Sequence, residues 1–230
     1  MNDVLARASR LVLDLLFPPH CAICSRGGAF ICEACADALR VADGARCFRC
    51  WMPGRARLCA HCLDTPPSFE SIRAAYVMEG GARHLSHELK YDGMTALARP
   101  MAALMAGRID GGDADLVVAV PLHRGRERSR GYNQSSMLAK ELAAGAGLAF
   151  DGTAVRRIRA TAPLAKTMRR DERRAIVASA FTALPERVEG RRLLLVDDVV
   201  TTGATLDACA GALLEAGAKT VRCVTWARAD

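Results

Sequence analysis

Residues 193–205 read Leu193-Leu194-Leu195-Val196-Asp197-Asp198-Val199-Val200-Thr201-Thr202-Gly203-Ala204-Thr205. A short aliphatic run of this kind is the pattern of a strand buried on both faces. Two adjacent carboxylates follow it, then a turn of small and hydroxyl-bearing residues, then an apolar stretch that predicts a helix over 204–216. The turn aims backbone N–H groups and threonine hydroxyls at whatever sits on the helix N-terminus, which suits a phosphate. The carboxylates cannot serve that phosphate; their natural partners are sugar hydroxyls or a metal held beside it. A phosphate cradle next to hydroxyl acceptors describes a pocket for a ribose 5-phosphate. An ordinary strand-turn-helix with a threonine cap explains Thr-Thr-Gly alone, but not the whole run.

Working outward, the same alternation recurs. Strands are predicted at 71–78, 116–120, 153–158 and 220–226, and helices at 82–90, 95–108, 134–144 and 204–216. Strand-helix alternation gives an α/β fold with a mostly parallel sheet and helices on its faces. Ligands of such sheets sit at the C-terminal strand ends. A second strand end carries chemistry: Val120-Pro121-Leu122-His123-Arg124-Gly125-Arg126-Glu127-Arg128-Ser129-Arg130-Gly131-Tyr132-Asn133-Gln134. Four arginines against one glutamate form either a solvated basic loop or an anion site. The place at a strand end favours the anion, because the planar guanidinium fork grips phosphate oxygens in pairs. His123 is either a donor to phosphate or a packing residue.

Upstream, eight of the ten cysteines fall into four Cys-x-x-Cys pairs: Cys21/Cys24, Cys32/Cys35, Cys47/Cys50 and Cys59/Cys62. A two-residue spacer forms a knuckle that turns both thiolates inward, and two knuckles supply a tetrahedral Cys₄ zinc site. Two structural zinc sites follow, with sequential pairing favoured and cross-braced pairing, first with third and second with fourth, as the alternative. Four sulfurs leave no open coordination position. His61, inside the last knuckle, is read as a bystander. The segment 18–65 has too little apolar mass to fold unaided, so metal supplies its stability.

Composition bounds the rest. At 230 residues, 51% apolar and 25% charged, the chain can bury a core, while 5% aromatics make that core aliphatic. The net charge of +7 is local: residues 122–174 carry +8 and the remainder −1. No apolar run reaches the roughly 20 residues of a membrane span. Residues 4–17 read as a short amphipathic helix rather than a signal peptide, because Arg7, Arg10 and Asp14 interrupt them and no small-residue cleavage site follows. A cytoplasmic location is therefore expected, where clustered cysteines mean metal rather than disulfides. The chain divides into 1–17, a ribbon at 18–65 and an α/β domain at 66–230. Cys209 and Cys223 remain as buried thiols.

The run 193–205 resembles the binding signature for phosphoribosyl pyrophosphate (PRPP) of the type I phosphoribosyltransferases. The resemblance implies that Asp197 and Asp198 contact ribose hydroxyls, that Thr201, Thr202, Gly203, Ala204 and Thr205 cradle the 5-phosphate, and that Mg²⁺ bridges ribose and pyrophosphate oxygens. Pro121-Leu122-His123, Arg130-Gly131-Tyr132-Asn133-Gln134, Leu89-Lys90-Tyr91 and the double ribbon together look like the ComF/GntX family of competence-associated proteins. That resemblance runs from about Leu15 to Arg228. It makes Arg126, Arg130 and Lys90 candidates for the pyrophosphate end. It also implies a lid over PRPP from the basic stretch 156–174, although Thr161-Ala162-Pro163-Leu164 and Ile176 depart from the family pattern; an exposed helix is the other reading. Two functions follow: transfer of a phosphoribosyl group to a base or amine with release of pyrophosphate, or a nucleic-acid-binding module for DNA uptake with PRPP as a regulatory ligand. Single-stranded DNA and proteins of the competence machinery are the partners this family association adds.

Overall fold

A computed structural model describes residues 18–107, 113–158 and 180–229. The expected N-terminal helix and all but the first three residues of the expected lid lie outside them. The cysteine segment holds two one-turn helices, α1 (Glu33–Asp37) and α2 (Ala60–Asp64). The α/β part then runs β1 (Ser71–Val77), α3 (Gly80–Tyr91), α4 (Ala98–Ala106), β2 (Leu116–Ala119), α5 (Arg124–Arg130), α6 (Gln134–Ala146) and β3 (Ala149–Asp151). It continues through β4 (Val155–Arg157), β5 (Phe181–Ala183), α7 (Pro185–Val188), β6 (Arg192–Val200), α8 (Ala204–Glu215) and β7 (Thr220–Arg228).

The main sheet has the order β1-β7-β6-β2-β3 and every pair is parallel. Side-chain alternation divides its aliphatic residues between two cores. Leu193 and Leu195 face α8 with the β4–β5 pair and α7, whereas Leu194 and Val196 face α3, α4 and α6. Helices therefore cover both faces, as the alternation predicts. Strand β2 feeds α6 and then β3 at one edge, while β6 feeds α8 and then β7 on the other side. The order in which successive strands are added reverses between neighbours β2 and β6, and open parallel sheets form their ligand crevice at such a point, beyond the C-terminal strand ends.

Three details differ from the sequence reading. The strand near 153–158 is β4, which pairs antiparallel with β5 outside the main sheet. The basic run after β2 is mostly helical: the His123 ring accepts the Gly125 N–H at 3.2 Å as a cap, and Gly131 ends α5 at φ +85°. Strand β6 also continues through Asp197 and Asp198 to Val200, because Asp197, Val199 and Val200 keep pairing with β7.

Candidate functional site

At the C-terminal ends of β2 and β6, side chains from α3 and α6 meet those of β6. Asn133 caps α6 by accepting the Ser135 N–H at 3.0 Å and donates its side-chain amide to the Val120 carbonyl, also at 3.0 Å. These two hydrogen bonds fix the start of α6 to the end of β2, so Gln134 and Ser135 lie over the two carboxylates of β6. Ser135 Oγ donates to Asp197 Oδ1 at 2.7 Å, and the Asp198 N–H donates to the same oxygen at 2.9 Å. Asp198 is only 5% exposed. It receives the Lys90 ammonium in an ion pair, Gln134 Nε2 at 3.3 Å and Ser86 Oγ at 3.5 Å. Ser86 and Lys90 stand four residues apart on α3 and so share one face.

Gln134 extends the network, since its Oε1 accepts a hydrogen bond from Arg130 Nη1. The Arg130 guanidinium also lies over the Tyr91 ring, 5.2 Å from its centre. Tyr132 donates to the Leu89 carbonyl at 2.6 Å, tying the loop before α6 to the end of α3 that bears Lys90. A line of polar contacts thus runs from Arg130 through Gln134 and Asp198 to Lys90. Burial and the adjacent Asp198 charge raise the Asp197 carboxyl to about 7, against the pull of its two hydrogen bonds.

Beyond Val200 the chain turns through Thr201, Thr202 and Gly203 into α8. Gly203 has φ +83°, and a Cβ there would lie 3.3 Å from Ile72 Cδ1, so glycine fits both the backbone and the space. Thr201, Thr202, Ala204 and Thr205 are exposed around it. The Thr202 hydroxyl receives the Ala204 N–H at 3.4 Å. These groups stand at the N-terminus of α8, the end that carries the helix's partial positive charge, beside the carboxylates.

Of the residues singled out by sequence, Asp197, Asp198, Lys90 and Arg130 meet in one network with the loop Thr201–Thr205 beside it. Arg126 stands exposed on α5, outside that network. Its charge is felt by Arg157 on β4, whose guanidinium burial holds below the usual value, with Arg126 adding and Asp197 opposing. Sequence reasoning singled out neither Ser86 nor Ser135, and it named Gln134 only within a motif and Arg157 only within the stretch 156–174, with no individual role. The four-residue spacing of Ser86 and Lys90 and the polar pair just after the Asn133 cap were the available signals. Arg228, at the end of β7, was also missed, and no local pattern announces it.

The cysteines gather as Cys21, Cys24, Cys32 and Cys35, and as Cys47, Cys50, Cys59 and Cys62, with the sulfurs of each set within 4.8 Å of one another. Pairing is therefore sequential, and exposed His61 belongs to neither set. The Cys32 N–H approaches Cys21 Sγ at 3.5 Å and the Cys59 N–H approaches Cys47 Sγ at 3.3 Å. Burial alone would push both thiols up, yet backbone N–H groups, from Cys32, Cys24 and Ile23 and from Cys50, Cys59 and Arg49, bring Cys21 and Cys47 down to about 6. Neighbouring sulfurs push Cys35 up, and burial pushes up Cys50 and Cys62, so it is the convergence of four sulfurs in each set that fits tetrahedral zinc, and the two sets are structural Cys₄ sites.

A parallel sheet with this carboxylate pair and glycine turn at the point where its winding reverses has the form of a phosphoribosyltransferase-type domain. Residues 132–229 match the phosphoribosyl transferase domain family and residues 12–64 the double zinc ribbon domain family. The DNA utilization protein YhgH of Salmonella typhi is 35% identical over 201 residues, which cover 84% of this chain and 87% of the relative. Competence protein F of Haemophilus influenzae is 26% identical over 183 residues, covering 76% and 80%. The chain belongs to the ComF family of double-zinc-ribbon phosphoribosyltransferase-like proteins. Among solved structures, a glutamine PRPP amidotransferase from B. subtilis overlaps 61% of this chain and 30% of its own, with 21% identity and a TM-score of 0.44. Among the described residues no helix is long and apolar enough to cross a membrane.

Proposed function

We propose that the crevice binds PRPP and transfers its phosphoribosyl group to a nucleophilic base or amine, releasing pyrophosphate. The observation that carries this is the position of the Asp197–Asp198 pair, between the Thr201–Thr205 cradle and the Arg130–Gln134–Lys90 network. The cradle takes the 5-phosphate and Asp197 and Asp198 the ribose hydroxyls. Lys90 and Arg130 exchange Asp198 and Gln134 for the departing diphosphate, with Arg126 and Arg157 adding to the positive field.

Catalysis of this kind needs no covalent intermediate. The residues hold C1 in line and stabilise the leaving anion, both of which are positional and electrostatic effects. Ser135 and Lys90 engage the oxygens of Asp197 and Asp198; a Mg²⁺ bound together with PRPP would supply charge neutralisation for the departing diphosphate. Calorimetry with PRPP and Mg²⁺ tests the reading: binding is expected in the zinc-loaded protein and loss in Asp197→Asn/Asp198→Asn. No binding to the wild type, or unchanged binding in the double variant, rejects it. A panel of bases and amines, followed by pyrophosphate release, then identifies the acceptor.

A second reading, binding of single-stranded DNA, draws on the relatives' names and on one surface feature. Phe48 is 55% exposed on the second ribbon, with the guanidinium of Arg73 at 4.8 Å and that of Arg57 at 5.8 Å from its ring centre. Aromatic faces flanked by arginines stack bases. Affinity for an oligonucleotide should fall steeply with salt and fall again in Phe48→Ala; a flat salt response speaks against this reading.

A further inference from the structure

Arg228 ends β7 and is 1% exposed, which is rare for an arginine. Its fork is used in two directions. Nη1 donates to the Cys50 carbonyl at 2.8 Å, and Nη2 donates to the Thr201 carbonyl at 2.9 Å while touching Met52 Sδ. Cys50 is a ligand of the second zinc set, and Thr201 is the first residue of the anion cradle. One rigid planar group therefore spans the metal knuckle and the loop. The backbone completes the brace. The Arg228 carbonyl receives the Met78 N–H at 2.7 Å, and the next residue's N–H, that of Ala229, reaches the Val200 carbonyl at 2.9 Å.

The first zinc set is placed differently. Its knuckle meets the start of α3, where His84 Nε2 lies 2.8 Å from the Ala22 carbonyl and Ile23 and Leu39 crowd Gly81. Lys90 is nine residues beyond Gly81 and six beyond His84 on that helix, about 14 Å and about 9 Å away at the helical rise. The two metals therefore differ in their route to the site.

We infer that Arg228 is a positioning residue that makes the conformation of the Thr201–Thr205 loop depend on metal at Cys47/Cys50/Cys59/Cys62, and not on metal at Cys21/Cys24/Cys32/Cys35. Zinc fixes the Cys50 carbonyl, the carbonyl fixes the guanidinium, and the guanidinium fixes the first carbonyl of the loop. A coupling of this kind is reciprocal, so an anion in the loop must hold the second zinc more tightly in turn. The ligand arm of the inference rests on the PRPP reading; the metal-to-loop arm does not.

The test uses the zinc-loaded full chain, with Arg228→Lys and Arg228→Met alongside Cys59→Ser and, as the first-site control, Cys32→Ser. Lysine keeps the charge but cannot hold two carbonyls with one fork. Zinc release to a chromogenic chelator should show one of the two ions leaving about tenfold faster in both Arg228 variants, a ratio in the usual range of coupled sites. PRPP with Mg²⁺ should slow that ion in the wild type and not in the variants. Hydrogen exchange over residues 200–208 should rise in Arg228→Lys and Cys59→Ser and stay unchanged in Cys32→Ser. Equal release of both ions in the variants together with unchanged exchange over 200–208 overturns the inference. If the wild type binds no PRPP, the PRPP reading fails, while the exchange and release measurements still decide the coupling. Should Cys59→Ser not fold, the Arg228→Lys results alone decide it.

Discussion

Removing the Lys90 ammonium tests the central network most directly. In Lys90→Met the aliphatic stem keeps its packing, and Asp198, with a side chain 7% exposed, is left with only the neutral donors Ser86 and Gln134 of its present partners. Breaking a buried ion pair from one side costs about 3–5 kcal/mol. The Lys90 side chain is 20% exposed, so water reaches part of the pair and the cost falls to about 2–3 kcal/mol. On a chain of this size that lowers Tm by about 5–10 °C. Asp198→Asn alone should cost less, about 1–2 kcal/mol, because the ammonium can turn towards solvent. The double variant Lys90→Met/Asp198→Asn should be more stable than Lys90→Met, with a coupling of about 1–3 kcal/mol. Thermal and urea unfolding of ligand-free, zinc-loaded protein at neutral pH measures all three. A loss below about 0.5 kcal/mol in Lys90→Met, or additive single effects, would refute the claim that the pair is a buried and coupled one.

The raised Asp197 carboxyl gives a pH signature of definite sign. Its folded value of about 7 exceeds the ordinary value of about 3.9, so its stabilisation is complete below about pH 4 and is lost as pH rises to about 7. Asp197→Asn should remove that part of the slope in a pH series of unfolding midpoints, and an unchanged slope would assign it elsewhere. Gly203→Ala forces a non-glycine residue to φ +83° and should cost about 1–2 kcal/mol, read as a lower Tm and weaker PRPP binding. Metal analysis should return two zinc ions per chain, and their removal by a strong chelator should unfold the cysteine segment, seen as rapid proteolysis between residues 18 and 65.

The fold was legible in sequence because the buried parallel strands announce themselves as short aliphatic runs, and 193–196 and 116–120 lie centrally where they were read. Strand β3, with only three residues, and the β4–β5 pair lack that signal, so the sequence showed a strand at 153–158 but not that it pairs outside the main sheet. The zinc sets were legible because ligand spacing is a local property. Their sequential pairing was favoured but not fixed by spacing, and the three-dimensional clustering of sulfurs decided it. The carboxylates and the glycine turn stand side by side in the chain and were found together. Ser86, Gln134 and Arg157 join the site from three other segments, and polar residues at such distances carry no shared pattern. Arg228 is the extreme case: its partners Cys50 and Thr201 lie far from it in sequence and offer only backbone carbonyls, which no residue type reveals.

The outer edge of β1 has a consequence for zinc shortage. Strand β1 pairs with β7 on one side only, and its other side is closed by backbone from the cysteine segment. The Ile72 N–H donates to the Arg49 carbonyl, the Val77 N–H to the Arg40 carbonyl, and the Ala42 N–H to the Ala75 carbonyl, at 2.7–3.0 Å. An uncovered strand edge is a template for pairing with another chain. The ribbon therefore acts as a guard on the sheet, and a cell short of zinc would face not merely an idle protein but one prone to edge-to-edge aggregation. Light scattering of the chain after chelation should rise with protein concentration, and charged substitutions at exposed positions bordering β1 should delay it.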